Sequence, residues 1–303
     1  EYCELLNVDR PNLPDDLKIT PLVYKTQQER TQIMLQLSKV HNYFNRYLQV
    51  GGFPELALAD NDILAQQIMR EDVVDKVLKR DLPSLYKIRN ATELERIFLY
   101  LCNVSSEIVS IEAIAKELSG VSRPTVENYI QYLESANLIY QSWPVNIGGK
   151  KILKARPKIY IADAAIRNAV LMDDSLLSDP VEMGKIVETA VYKHVAAFYY
   201  QQATSVGYYR GGSHGKEIDI VVEYSTARDI LIEVKYREEA PIPDDAAIVE
   251  LSGDAAASIV VTKNANDFGV HHTKSGKDLI RIPAFAFLYL LGHAEKHGYR
   301  GVE

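Results

Sequence analysis

The chain has 303 residues and only two cysteines, Cys3 and Cys102. That excludes a disulfide framework and the paired spacing of a zinc knuckle, and makes a reducing, cytoplasmic setting the default expectation. Basic residues are also short: 34 Lys and Arg stand against 41 Asp and Glu, a net charge of −7. Nucleic-acid-binding proteins usually carry the opposite balance. No apolar run approaches the roughly 20 residues of a membrane span, no signal peptide opens the chain, and neither a repeat nor a low-complexity tract is present. The P-loop is missing as well. The pairs Gly149-Lys150, Gly215-Lys216 and Gly276-Lys277 are followed by Lys151, Glu217 and Asp278, not by the hydroxyl that a nucleotide-bound Mg²⁺ needs. No nucleotide cofactor site and no membrane partner are therefore expected. The first residue is Glu1 rather than Met, so the chain is expected to be the trailing part of a longer protein.

A composition of 47% hydrophobic and 25% charged residues is that of a soluble globular protein, and the length suits two or three domains. Residues 1 to about 25 are rich in Pro and Asp and read as a loop or linker. Ile33, Leu37, Val40, Phe44 and Leu48 recur at helical spacing, "GGFPE" (Gly51 to Glu55) breaks the pattern, and a charged helix follows that should stop near Pro83.

The next block has the signals of a helix-turn-helix. Ser110 and Ser122 are N-cap candidates, Pro124 falls in the first turn of the second helix, and Val126, Ile130 and Leu133 form its apolar stripe. "LIYQSWPV", "NIGGKKIL" and "KARPKIYIAD" read as strand, glycine turn and strand, the wing of a winged helix. Lys150, Lys151, Lys154, Arg156 and Lys158 lie in a stretch without an acid. Such a run can meet DNA phosphates, or it can be a solvated hairpin whose lysines guard an edge strand. The second helix offers Arg123, Thr125, Asn128 and Gln131 beside Glu127 and Glu134, a poor set for reading bases, and the module is equally readable as a protein-packing element.

From Pro180 onward a helix, three strands, a helix and a strand follow in mixed α/β order. Two of those strands carry charge where a buried strand should be apolar. Alternation places Glu217, Asp219, Val221 and Glu223 on one face, with Ile218, Ile220 and Val222 on the other. Glu233 and Lys235 share a face of the next strand, roughly 7 Å apart. A hairpin through "STAR" would stand Asp219 beside Glu233, and two carboxylates so placed repel unless a cation intervenes. Glu188 falls on the helix row Gly184, Glu188, Val191, Val195, with Gly184 expected to allow a close approach of helix to sheet.

A helix glutamate, a strand aspartate and Glu233-Val234-Lys235 on the following strand resemble the PD-(D/E)xK, restriction-endonuclease-like nucleases over about Pro180 to Pro283. The resemblance implies Mg²⁺ or Mn²⁺ held by Asp219 and Glu233 with the carbonyl of Val234. It also implies a supporting Glu188, and Lys235 activating water and stabilising phosphate charge, so that Glu188, Asp219, Glu233 and Lys235 form the catalytic set. A catalytically silent relative, kept as a binding module, is the competing reading. The acidic balance of residues 181–303, 13 Lys and Arg against 17 Asp and Glu, favours it. The order "YLQVGGFPE", charged helix, winged helix, "PKIYIADAAI", "GKIVETAVYKHV", "EIDIVV", "ILIEVKYR" is similar to the C-terminal half of a prokaryotic AAA-type ATPase family, over about Tyr47 to Leu291. It implies an upstream P-loop core as a partner. The expected architecture is multidomain α/β: a linker and lid-like helical segment over 1–82, a winged helix-turn-helix over 83–165, and a mixed-sheet, restriction-endonuclease-like domain over 166–303.

Overall fold

The computed structural model describes residues 1–118, 120–145, 155–172, 177–211, 215–274, 276 and 278–298. The architecture is mixed α/β, with a largely helical N-terminal part and a six-stranded mixed sheet in the C-terminal part. Among the described residues no helix is long and apolar enough to cross a membrane.

The helices are α1 (Tyr2–Leu5), α2 (Gln27–Leu37), α3 (His41–Val50), α4 (Pro54–Ala57), α5 (Asp62–Ile68), α6 (Leu82–Tyr86), α7 (Ala91–Asn103), α8 (Ile111–Glu117), α9 (Arg123–Ser135), α10 (Ala164–Leu171), α11 (Pro180–Tyr199), α12 (Ala247–Leu251) and α13 (Ala284–Lys296). The local reasons are those the sequence carries. Thr26 and Glu29 form a reciprocal capping box at α2. Ser110 and Ser122 accept the backbone N–H of Ala113 and Thr125 at the starts of α8 and α9. Pro83 does not end its helix. π-helical turns carry the chain from Met69 to Asp81, and α6 restarts with Pro83 in its first turn, where the missing N–H costs little. The rod ends at Lys87 in the left-handed region, φ 52°.

The opening segment is not a linker. Leu13, Leu17, Ile19 and Leu22 are buried with α2 and α3 in one core with α11, α13 and the large sheet. A second core joins Val50, Leu56 and Met69 to α7, α8, α9 and α10. Residues 1–82 are thus shared between two cores.

Three short strands, β1 (Glu107–Ile108), β2 (Ile139–Ser142) and β3 (Lys158–Ile161), form an antiparallel sheet with β3 in the middle. The large sheet has the order β4 (Ser205–Gly211), β5 (Lys216–Glu223), β6 (Ile230–Lys235), β7 (Ala257–Thr262), β9 (Asp278–Pro283) and β8 (Gly269–His272). β6, β7 and β9 run parallel, and the other pairs are antiparallel. Past β2 the chain crosses onto the outer edge of β4, where Val145 N–H donates to the Tyr208 carbonyl (2.8 Å) and Tyr208 N–H to the Trp143 carbonyl (3.1 Å). The two sheets are therefore stitched together.

β5 does not alternate strictly. Gly207 pairs with Val221 but Tyr209 with Ile218, so β5 places Asp219 and Ile220 opposite the single Tyr208. This bulge shifts the phase. Ile218 joins Val221 on the α12 side of the sheet, while Ile220 and Val222 face the α11 side, correcting the uniform face expected for the three residues.

Two glycines on this frame have opposite roles. Gly51 sits at φ 75°, and a Cβ there would lie 2.6 Å from Asp163 Oδ1 and 2.9 Å from Ala165 Cβ. Gly184, expected to let α11 approach the sheet, faces open space, with nothing within 4 Å of a Cβ. Gly51→Ala is therefore expected to lower the unfolding free energy by more than ~1 kcal/mol. Gly184→Ala, in mid-helix, should be neutral or stabilising by up to ~1 kcal/mol. Urea denaturation of both variants checks this, and equal effects would contradict it.

Candidate functional site

β3 is the strand on which both cores meet, because its side chains alternate. Ile159 and Ile161 enter the core with α7 and α9, while Tyr160 enters the core with α11 and the large sheet. Lys158 lies on the same side as Tyr160. Its side chain is 3% exposed, and its Nζ sits 2.7 Å from Glu188 of α11, 3.0 Å from Glu217 and 3.1 Å from Asp219 of β5. Tyr160 stacks on Tyr192 of α11, ring centroids 4.0 Å apart, and its hydroxyl donates to Glu188 at 2.9 Å.

The carboxylates differ in their surroundings. Asp219 uses its second oxygen to accept the Val234 N–H at 2.9 Å. This joins β5 to β6 just beyond the paired residues Ile220 and Ile232, so the hairpin brings Asp219 to the Glu233 end of β6 as its length suggests. Glu233 Oε1 accepts from Lys235 Nζ at 2.9 Å, and its Oε2 is buried without a partner. Burial pushes the Glu188 carboxyl up to about 8, Asp219 adding to the rise and Lys158 and Tyr160 opposing it. Burial, then Asp219, raises Glu233 too, against Lys235. For Lys158 burial works downward, but Asp219, Glu188 and Glu217 together outweigh it and hold the ammonium charged above its ordinary range.

Glu188, Asp219, Glu233 and Lys235 are therefore brought to one region, as their pattern suggests. Two participants come from outside that set. Glu217 is a direct partner of the ammonium, and Lys158 belongs to the basic run that the sequence leaves open between phosphate contact and a solvated hairpin. The alternation in Lys158-Ile159-Tyr160-Ile161 was the available signal: it sets a lysine and a tyrosine together on one face of an otherwise apolar strand.

The arrangement does not fit Mg²⁺ or Mn²⁺ as the resemblance implies. The point where three carboxylates converge holds Lys158 Nζ. Their oxygens stand 2.7–3.1 Å from it, wider than the roughly 2.0–2.1 Å of Mg²⁺ coordination. Val234 offers its N–H to Asp219, and Glu233 is engaged by Lys235. Among the described residues no group of three or more His, Cys, Asp or Glu is disposed to hold a metal ion.

Of the candidate nucleic-acid contacts, Lys150, Lys151 and Lys154 lie outside the described residues. Arg156 is exposed, and its carbonyl accepts the Tyr208 hydroxyl. Arg123 is engaged by Glu112 at 2.8 Å and Glu127 at 2.9 Å, so two acids compete with any phosphate for it.

A second polar cluster ties α3, β3 and α11 together. Asp163, just past β3, caps α10 and pairs with Lys193. Beside it the Tyr47 hydroxyl lies 2.6 Å from His194 Nε2. Burial, and then Lys193, pull the His194 pKa down to about 4.

Comparison with known proteins finds two family models that each match part of the chain. Residues 41–177 match a domain of unknown function, DUF8612, and residues 183–285 match another, DUF4143. An uncharacterized protein of Methanocaldococcus jannaschii is 24% identical over 261 residues, 83% of this chain and 56% of its own length. An uncharacterized protein of Haemophilus influenzae is 25% identical over 156 residues, 50% of this chain and 38% of that protein. An uncharacterized protein of Mycobacterium tuberculosis is 29% identical over 181 residues, 58% and 39% respectively. The chain thus spans about half or less of these relatives. No solved structure matches it.

Two of the shifted groups predict opposed pH effects. His194 has a folded pKa below its ordinary 6.5, so the unfolded state binds more protons between about 4 and 6.5, and stability is lost as pH falls through that window. Glu188, raised from 4.5 to about 8, loses its contribution as pH rises through that range. In melting curves from pH 4.5 to 8, His194→Gln should flatten the acid-side fall relative to wild type, and Glu188→Gln should flatten the decline toward high pH. Curves parallel to wild type would contradict both assignments.

Proposed function

We propose that this chain is the C-terminal region of an AAA-type ATPase whose nuclease-like carboxylate centre is catalytically silent and serves as an interaction and regulatory module. In this reading α8, α9 and the small sheet form a winged-helix arm, and α11 with the large sheet forms a restriction-endonuclease-like domain. One observation carries the reading. The ammonium of Lys158 sits 2.7–3.1 Å from Glu188, Glu217 and Asp219, and so already neutralises two of the carboxylates that the resemblance would give to a metal. A lysine supplies the neutralising charge but no acidified water. Its tie to the carboxylates docks the arm on the sheet domain, as a relay between an ATPase and a partner requires. Acidic balance supports the same side, since a net charge of −7 does not gather nucleic acid.

The active-nuclease reading retains one specific support. The Asp219 to Val234 hydrogen bond sets aspartate, Glu233 and Lys235 in the neighbourhood that a metal-dependent nuclease uses. In that reading Arg156 and the lysines at 150, 151 and 154 would contact DNA.

The two readings separate in a cleavage assay. Wild type and Lys235→Ala are incubated with plasmid and with single-stranded DNA and RNA, in Mg²⁺ and in Mn²⁺. Rates for both proteins are expected to equal that of buffer. Divalent-dependent cleavage by wild type that Lys235→Ala loses would overturn the silent reading. The chain by itself is also expected to show no saturable, magnesium-dependent binding of fluorescent ATP, because no segment supplies the glycine cradle, lysine and hydroxyl together.

A further inference from the structure

Where α6 ends against α9, the surface opens into a cleft of about 350 Å³, near the lower end of the size range of ligand sites. One wall is the link from α6 to α7, Tyr86 to Asn90, and the other is α9. Local structure explains the chemistry of the first wall. Lys87 takes the left-handed conformation that stops α6, and Ile88 packs against the second core. Lys87 and Arg89, on either side of Ile88, are thereby left exposed. Among the described residues neither side chain has an ion-pair or hydrogen-bond partner, and nor does that of Asn128 on the α9 wall. Among the described residues of the lining Glu93 is the sole carboxylate, and the Asn90 amide donates to its Oε1 at 2.9 Å. The cleft therefore holds two cations against one acid, in a chain whose net charge is −7. Its aromatic side is rigid. Tyr86 stacks on Tyr132, ring centroids 3.8 Å apart, and the buried Tyr129 has its ring 6.2 Å from that of Tyr132. Leu85, one residue before this stack, is 71% exposed. Tyrosine offers contact area at low entropic cost and is enriched at the hot spots of protein interfaces.

We propose that this cleft docks an acidic peptide segment of a protein partner, with carboxylates on Lys87 and Arg89, peptide backbone on the Asn128 amide and an apolar side chain against the tyrosines. The proposal rests on the interaction-module reading above and gives that module a partner of stated chemistry. Charge complementarity selects the occupant. A peptide carboxylate meets two cations that the fold leaves without an acid of their own, and a local surplus of positive charge on an acidic protein attracts anions to that spot. An extended polyanion such as nucleic acid fits less well. The same helix carries Glu127 and Glu134, and its Arg123 is already held by Glu112 and Glu127. The cleft also lies across a junction. Tyr86 closes the helical run that begins at α5, and Tyr132 belongs to the helix-turn-helix, so an occupant that touches both walls ties one to the other.

The test is selection from a random peptide library displayed on phage, with the full chain as bait, followed by fluorescence anisotropy of the recovered peptides. Those peptides are expected to be rich in Asp and Glu, to contain an aromatic or aliphatic residue, and to bind more weakly as salt rises. Lys87→Glu/Arg89→Glu should weaken their binding by about tenfold or more, as expected for turning two exposed ion pairs into repulsions. Asn128→Ala should weaken it by about threefold, the loss of one hydrogen bond. Arg96→Glu/Lys116→Glu makes the same change of net charge at exposed positions outside the cleft, and should leave affinity within about twofold. All five side chains are exposed, so the variants are expected to fold, which thermal melting checks. Recovery of no binder, recovery of peptides without acidic enrichment, or equal loss in the cleft variant and the charge-matched control overturns the proposal. So does unchanged binding to Lys87→Glu/Arg89→Glu. A DNA oligonucleotide that binds more tightly than every recovered peptide at the same ionic strength, and is lost in Lys87→Glu/Arg89→Glu, overturns the choice of partner and assigns the cleft to nucleic acid. Failure of the peptide experiment leaves the catalytically silent centre standing, whereas divalent-dependent cleavage by wild type overturns that centre's silence and leaves peptide binding at this cleft intact.

Discussion

An ammonium that is 3% exposed survives in a protein interior only if its lost hydration is replaced, and for Lys158 the replacement is three carboxylates and no water-facing side. The dependence is mutual. Glu188, Glu217 and Asp219 would repel one another without it, and burial alone already pushes Glu188 toward protonation. Breaking one partner of such a buried set typically costs about 3–5 kcal/mol. The placement of β3 against α11 and β5 is therefore fixed by charge as well as by packing. The Tyr160 ring on Tyr192 and its hydroxyl on Glu188 add to the same seam.

That seam joins the two hydrophobic cores. Odd residues of β3 complete one core and even residues reach into the other. The segment after β2 pairs along β4, and Asp163, directly after β3, holds Lys193 of α11 while its other oxygen crowds Gly51. Motifs far apart in the chain, "VGGFPE", "YIADAAI" and "ETAVYKH", thus converge on one polar junction. The carboxylates gather at one place on the sheet, but a site is defined by what occupies its middle, and here that is an amine.

Local structure was well written in the chain. Ser110 and Ser122 cap the helices whose starts they mark, and Val126, Ile130 and Leu133 are buried as the period requires. Two elements left little local trace. α13 is apolar nearly all round, with Phe285, Phe287, Leu288, Leu290 and Leu291 all buried, so it has no polar face to reveal its period. β8, Gly269–His272, is a four-residue edge strand with no apolar run. The opening segment misled for the opposite reason. Its prolines and aspartates signal a loop, but short helical turns stand at both its ends and its leucines pack in the core.

At the site, the sequence by itself determined the residue types and their approximate neighbours, while the β5 bulge reset which face each residue of that strand takes. Glu188 on a helix row, Asp219 near Glu233 on paired strands, and Glu233 beside Lys235 all follow from periods of 3.6 and 2. What it did not determine was the cation. A lysine's charge says that it seeks an anion, and phosphate and carboxylate satisfy that equally, so a run of bases without nearby acids looked outward to DNA. Only the tertiary structure, by stitching β2 onto β4 and turning Lys158 inward over the β5 bulge, decided that its anions are the chain's own. The physical reason is range. Helix and strand patterns are fixed by neighbours within a few residues, whereas the partner of a buried charge is fixed by whichever distant surface is brought against it.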